Sequence, residues 1–448
     1  MSKTPFFISP HDRKFTPMIP PEWQAFLPSP GPLQPGKKWH VFLSYRSVNR
    51  GWVLNLYDVL TQLGFKVFLD QYVLLGGDSL IQVLQNGLTS SQAGVLIWSN
   101  AAKDSVWVAN EYETLLNLSI NNPPFRFVPI KIERAPLPAF ANNKLFLDFT
   151  DYPDGPGGGE LLRLVSALVG VPLGDKAVHF AWEQDEASGV AAAQISAAVR
   201  NGYSDRLVEL FEKGGLPWRT TAILGCKAAE GLTALGCNDK AIAILQRLQT
   251  EFPGAIRPKQ LVALALARRG GPGDLEMAQN ILGELYASNH LDPETVGLYG
   301  RTWMDRYKLS QIPSDLRQSR NLYAEGFEKA PDDYYTGVNA ASKSLLLGEP
   351  DKAAAYAKRV ESIVGNTAVR GDYWWTATIA EVLLLQGKYA EAGDMYQQAI
   401  DMAPTQTASH GSTYKQARLL LSKFGATTAE QLLVLQPFKG LPDYITGS

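Results

Sequence analysis

The run His40-Val41-Phe42-Leu43-Ser44-Tyr45-Arg46 decides the fold. Its apolar stretch has the length of a strand buried on both faces, and it ends in side chains that suit a loop. Four more runs of this kind follow at 66–69, 94–98, 127–132 and 145–149. Between the first two, Val53, Leu56, Tyr57, Leu60 and Leu63 form a helical apolar stripe, and Gly64 supplies a stop. The pattern predicts further helices at 79–88, 106–118 and 160–168. Strands alternating with helices imply an α/β fold with a parallel five-stranded sheet and right-handed crossovers. Ligands of such sheets bind beyond the carboxyl ends of the strands. Arg46 leaves the first strand there, and the 70–78 loop, broken by Gly76-Gly77-Asp78, leaves the second.

Inside the predicted helix 106–118, the stretch Trp107-Val108-Ala109-Asn110-Glu111 places a ring and a carboxylate four residues apart, one above the other. A flat ring beside a lone carboxylate can hold a planar base and face a developing positive charge. Read without context, Glu111 is an exposed helix residue, Trp107 a core residue and Arg46 the cap of a strand edge. Asp154-Gly155-Pro156-Gly157-Gly158-Gly159 is glycine-rich but follows the last strand, and it lacks the Lys-Ser/Thr of a phosphate loop. It reads as a turn before the helix at 160–168.

The remainder falls into distinct regions. Residues 1–37 carry nine prolines, which block helix and sheet alike and predict an extended arm; the alternative is a segment that docks on a neighbour through Trp23 and Phe26. Residues 171–187, with Pro172 and Gly174 near their start, read as a short linker after a domain spanning 38–170. From 188 to 424 the pattern is all-α and repeats itself. Ala241, Leu245, Leu248 and Pro253 share a frame with Ala392, Tyr396, Ala399 and Pro404; looser copies hold Ala353, Ala357 and Val360, then Ser319, Tyr323, Gly326 and Pro331. Such helix pairs cannot bury an apolar face alone and must stack into a solenoid. Tyr373-Trp374-Trp375 reads as inter-repeat packing, or as a peptide-binding patch. Residues 425–448 read as a tail.

Composition narrows the function classes. The 448 residues are 45% hydrophobic and 19% charged with net charge −2, so no bulk attraction to nucleic acid or anionic membrane is expected. The first thirty residues hold no apolar core and no apolar run is long enough to span a bilayer, so neither signal peptide nor membrane span is expected. Two cysteines, Cys226 and Cys237, make no disulfide scaffold, and the five histidines never pair with cysteine at metal-ligand spacing. The expectation is a cytoplasmic protein without a structural metal.

The motifs Val41-Phe42-Leu43-Ser44-Tyr45-Arg46, Leu63-Gly64-Phe65-Lys66-Val67-Phe68-Leu69-Asp70, Gly77, Val95-Leu96-Ile97-Trp98-Ser99, Ser105-Val106-Trp107 and Glu111, in that order, resemble a TIR domain. TIR domains divide into scaffolds that only assemble and enzymes that cleave NAD+. The resemblance implies Glu111 as the catalytic carboxylate, since the enzymatic members carry a glutamate in the helix after the third strand. Trp107 with Glu111 is similar to the arrangement in the animal axon-degeneration NADase. Tyr45, Arg46, Leu75, Gly77 and Trp107 are the implied substrate contacts, and 70–78 corresponds to a mobile loop that covers the site or meets the next subunit. Trp98 departs from the aliphatic residue usual at the end of that strand, and either narrows the pocket or packs. The array resembles the tetratricopeptide repeat, and 297–341 is similar to the TRAF-binding region of the apoptosis signal-regulating kinases.

Together these resemblances imply an NAD+ nucleosidase of the bacterial TIR immune-effector type, acting in antiphage or stress defence. NAD+ is its substrate, and no cofactor is expected. Water would capture the ribosyl cation to give ADP-ribose, or the adenine of the same molecule would close a cyclic product. Self-association through TIR domains, and a protein or small-molecule trigger on the repeats, would regulate it. A non-enzymatic adaptor is the competing reading, against which Glu111 stands. A glycosyl- or deoxyribosyltransferase would need an acceptor pocket that no motif supplies.

Overall fold

Alternation along the strands sorts side chains by type, aliphatic to one face and mostly aromatic to the other. The computed structural model describes residues 19–46, 49–69, 80–99, 102, 106–122, 124–133, 145–152, 155–288, 290–366 and 372–440. Two units emerge: 1–192 with 213–225 and 247–258, and 193–212 with 226–246 and 259–448.

The first unit begins with α1 (Pro21–Gln24) and continues β1 (Trp39–Ser44), α2 (Arg50–Gln62), β2 (Val67–Phe68), α3 (Leu80–Thr89), β3 (Ser91–Trp98), α4 (Val106–Asn121), β4 (Arg126–Lys131), β5 (Leu147–Asp148) and α5 (Gly158–Val169). The strands form one parallel sheet in the order β2-β1-β3-β4-β5. Val41 lies opposite Val67 on one side and Ala93 on the other, and Ser44 lies opposite Leu96. Val41, Leu43, Val95, Ile97, Val128 and Ile130 pack with Val53, Leu56 and Leu60 of α2 and Leu161, Leu164 and Val165 of α5. Phe42, Phe68, Leu96, Trp98 and Phe127 pack with Leu88 of α3 and Tyr112 and Leu115 of α4. Trp98 therefore packs: it is 3% exposed within this second layer. The expected α/β order holds throughout.

The proline-rich arm differs from its expectation because proline is compatible with the first turn of a helix, where its missing N–H has no partner anyway. Pro21 opens α1 in that way. Trp23 is buried, its Nε1 donates to Thr220 Oγ1 at 2.9 Å, and its ring meets Phe180 edge-on at 4.9 Å. Phe26 stacks on the same Phe180 at 4.7 Å, and Glu22 pairs with Arg219 at 2.9 Å. Ile19 and Leu27 reach the aliphatic layer of the sheet. The described part of the arm, from Ile19 onward, docks within its own unit.

The stretch 171–187 also differs. It is helical from Asp175, as the start of α6 (Asp175–Arg200). Pro172 and Gly174 separate it from α5, but no proline follows, and Asp175 in the first turn suits the helix dipole. After α6 every described element is helical: α7 (Ser204–Glu212), α8 (Leu216–Thr220), α9 (Ile223–Ala234), α10 (Asn238–Glu251), α11 (Ile256–Arg269), α12 (Asp274–Ala287), α13 (Pro293–Ser310), α14 (Pro313–Lys329), α15 (Tyr334–Leu346), α16 (Pro350–Asn366), α17 (Tyr373–Leu385), α18 (Tyr389–Met402), α19 (Thr407–Phe424) and α20 (Thr428–Leu435). No described helix is long and apolar enough to cross a membrane.

Within the second unit the repeat frame is the buried frame: Ala241 and Leu245, Ala353, Ala357 and Val360, Ala392, Tyr396 and Ala399, and Ser319 with Tyr323 all lie inside. α13 packs on α14, α15 on α16 and α17 on α18, while α15 also meets α13, α17 and α19, so the first helices of successive pairs form a layer of their own. Tyr373 and Trp375 are buried, as packing predicts, and Trp374 stays 39% exposed. The expected tail begins instead with α20, which Thr427 and Glu430 start as a capping box. Its Val434, with Phe438 just beyond, is buried against Tyr396, Tyr414 and their neighbours.

At Gly393 of α18 an added Cβ would stand 2.2 Å from the backbone oxygen of Leu433. Gly393→Ala should therefore push α20 off and cost about 1–3 kcal/mol, as overpacking against unyielding backbone does. Thermal melting checks this, with Gly51→Ala, which meets nothing within 4 Å, as the control expected to hold or gain stability.

Candidate active site

The strand order reverses between β1 and β3: the chain leaves β1 for β2 on one side, then returns to add β3, β4 and β5 on the other. At such a switch point the loops after the two central strands diverge and leave a crevice at their carboxyl ends. Polar side chains from three loops meet there. Ser99, fully buried, donates from Oγ to Asn49 Oδ1 at 2.8 Å and accepts from the Ala102 N–H at 3.2 Å. Asn49 Nδ2 reaches Glu133 Oε1 at 3.5 Å, and the Asn49 N–H closes a turn on the Arg46 carbonyl at 2.8 Å. The loops after β1, β3 and β4 are thereby tied to one another.

Tyr45 and Arg46 follow β1 directly and are both half-buried, Tyr45 against the aliphatic layer. β3 leads to α4, whose first two turns carry Trp107 and Glu111 in its backbone. That helix is held to the sheet by Leu115 and by Tyr112, whose ring meets Phe127 edge-on at 5.3 Å and whose hydroxyl pKa is pushed up by burial. The strand order thus brings the β1 end, with Tyr45 and Arg46, beside the β3 end that feeds the helix of Trp107 and Glu111. The side chains of Trp107 and Glu111, and the 70–79 segment with Leu75 and Gly77, lie outside the described residues.

Sequence reasoning missed the tie of Asn49, Ser99 and Glu133. The rule that singled out Arg46, the first polar residues after a buried strand, applies equally to Ser99 after β3 and Glu133 after β4. The glycine-rich 155–159 stretch is structural, as expected. Gly158 holds φ 60 at the start of α5, and a Cβ there would lie 1.9 Å from the Tyr152 hydroxyl. Tyr152 fills the space over that helix start, and burial, aided by Asp185 and Glu160, pushes its phenol pKa far up. Replacing Ser99 by alanine would leave both the Ala102 N–H and Asn49 Oδ1 without this partner. Ser99→Ala should lower stability by about 1–3 kcal/mol, the cost of an unmet buried group. Denaturant unfolding would read it, and an unchanged midpoint would contradict the tie.

Residues 41–162 match the TIR domain family, and residues 238–346 match the Tetratricopeptide Repeats-Sensor family. The probable 2' cyclic ADP-D-ribose synthase TcpB of Brucella melitensis biotype 1 is 32% identical over 95 residues, which are 21% of this chain and 38% of TcpB. The protein of the same description from Brucella abortus gives the same identity and shares. The chain thus spans well under half the length of these curated relatives. Among solved structures, the thermophilic TPR protein TTC0263 of Thermus thermophilus has a TM-score of 0.34 at 19% identity, covering 42% of this chain and 96% of its own. A tetratricopeptide repeat protein from Parabacteroides merdae has a TM-score of 0.30 at 13% identity, covering 57% and 100%. The chain is a TIR domain fused to tetratricopeptide repeats of the sensor type.

Proposed function

We propose that this protein cleaves NAD+ at the nicotinamide–ribose bond, with Glu111 as the catalytic carboxylate. The observation that carries this reading is positional: the helix bearing Trp107 and Glu111 leaves β3 at the switch point, in a domain related to a protein described as a cyclic ADP-ribose synthase.

The nicotinamide of NAD+ already carries positive charge on its ring nitrogen, so it departs as a neutral molecule without being protonated. Glycosidases with ordinary leaving groups need a second carboxylate to supply that proton. One carboxylate suffices here. Glu111 hydrogen-bonds the ribose hydroxyls and stabilises the oxocarbenium-like transition state electrostatically. Trp107 stacks on a substrate ring, Arg46 with Tyr45 faces the pyrophosphate, and the loop of Leu75 and Gly77 closes over the site or completes that of a neighbour. Capture of the ribosyl cation by water gives ADP-ribose and a proton. Capture by a nucleophile of the same molecule gives a cyclic product, the class named for the Brucella relative.

An enzyme that consumes NAD+ freely would harm its own cell, so the repeats act as restraint and trigger. In this reading the array receives a protein or small molecule, TIR domains then self-associate in the cytoplasm, and cleavage serves antiphage or stress defence.

Glu111→Gln should lower nicotinamide release by about 10²–10³-fold, the usual loss for one transition-state electrostatic contact, with the melting temperature kept. Undiminished turnover would remove Glu111 from the mechanism. Because Ile19 and Leu27 of the arm are part of the α/β core, clustering is best tested on the full chain fused to an inducible oligomeriser. Release should rise on induction; equal specific activity with and without it would end the regulatory reading.

A further inference from the structure

The first helices of successive pairs converge on a set of like charges. Arg268 comes from α11, Arg301 from α13 and Lys343 from α15. Lys343 is 3% exposed and donates from Nζ to Asn339 Oδ1 at 2.6 Å. Arg268 reaches the Thr233 carbonyl through one terminal nitrogen at 3.3 Å. Neither cation forms an ion pair with a carboxylate among the described residues. Two carboxylates stand close by, and other groups hold them. Asp305 Oδ1 accepts from Lys308 Nζ at 2.7 Å, leaving Arg301 Nε 3.6 Å from Oδ2, and Glu381 accepts from Gln416 Nε2 at 2.8 Å.

Hydrogen bonds there are also unmet: Arg268 Nε has no partner, and Arg301 Nε and Asp305 Oδ2, 3.6 Å apart, make none either. A protein that hides cations beside one another with donors unused carries a desolvation cost that a bound anion would offset. The electrostatics agree for Arg268 and Lys343, whereas at Arg301 the lowering by burial is outweighed by Asp305, which holds that guanidinium up. Burial, then the repulsion of Arg301, lowers the Arg268 guanidinium to about 9. Burial lowers the Lys343 amine to about 8, with Glu381 and Asp305 opposing and Lys308 and Arg301 adding to the fall.

We propose that this layer of helices holds a binding site for a small organic phosphate, gripped by Arg268, Arg301 and Lys343. Arg268, Arg301, Lys308 and Lys343 against Asp305 and Glu381 leave two positive charges in excess, which matches a phosphate monoester near its dianionic form. The guanidinium fork suits phosphate oxygens. Arg301, Asp305, Tyr335 and Tyr373 all act on Arg268, and Arg301 and Asp305 act on Lys343 as well. The groups thus gather at one place, as a small ligand needs, instead of stringing out as an acidic peptide would need. The ligand's organic part has a platform: Trp374 is partly exposed, with the Arg268 guanidinium 6.0 Å from its ring centroid. The site does not depend on the NAD+ reading, and it gives a chemical class to what the array would detect.

The test is calorimetric titration of the full chain with ribose 5-phosphate, inorganic phosphate, pyrophosphate and octaglutamate. Ribose 5-phosphate should bind saturably and more tightly than inorganic phosphate, in Glu111→Gln as in the parent. Arg268→Met and Arg301→Lys should each weaken it by about tenfold or more, the loss of a charge-assisted hydrogen bond. Arg301→Lys keeps the charge and loses the fork. Unliganded Arg268→Met should melt no lower than the parent, because its removal relieves repulsion. No saturable binding of any phosphate, binding that ignores both substitutions, or binding of octaglutamate alone would overturn the proposal. So would an unliganded Arg268→Met that melts lower and binds unchanged, which marks a purely structural arginine.

Discussion

The parallel pairing of β1 with β3 is the constraint on which the TIR unit depends. Because β1 is hydrogen-bonded to both β2 and β3, it sits where the order of the sheet reverses. Its alternating side chains must serve two layers at once, Val41 and Leu43 on one face and Phe42 on the other. Shifting the register by one residue would exchange the layers and set aromatic rings against α2 and α5. The same pairing aligns the ends of both strands, and so brings the Arg46 turn to Ser99 through Asn49. The crevice and the core are consequences of one register.

The array follows a different packing rule. Each helix pair buries small and apolar residues at a fixed spacing against its neighbours, and that spacing leaves the first helices free to carry polar groups on their shared layer. Arg301 of α13, Lys343 of α15 and Glu381 of α17 lie in that layer: Lys343 is nearly without exposure, and burial pushes the Glu381 pKa up while Lys343 opposes that rise. Such groups destabilise an empty structure. Their presence in three successive first helices, where alanine or leucine would pack as well, is what separates this layer from plain solenoid core.

Much of this was legible in the residues. The five apolar runs, the stripe from Val53 to Leu63 and the frame of Ala392, Tyr396 and Ala399 follow directly from period and burial. What escaped was tertiary in origin. Trp23 and Phe26 could be named as docking residues, but not their partners: the Trp23 ring needs Phe180 and its N–H needs Thr220, both far along the chain. Pro172 and Gly174 suggested a linker because both break helices, but the break is short and Asp175 starts a new one. The segment after Phe424 lacks repeat signature, so the burial of Val434 and Phe438 appears only when α18 and α19 are in place. At the site, Arg46 was found by its charge at a strand end, whereas Ser99 and Asn49 matter through each other, a relation no single position reveals.

The central claim is that the β1/β3 switch point holds NAD+ with its reacting ribose at Glu111. It is tested most directly by an experimental structure of the full chain bound to an NAD+ analogue that cannot be cleaved. The account predicts the nicotinamide riboside over the carboxyl ends of β1 and β3, its ribose hydroxyls hydrogen-bonded to the Glu111 carboxylate and its pyrophosphate on the Arg46 side. An analogue bound at the opposite edge of the sheet, or with its ribose away from Glu111, would contradict it.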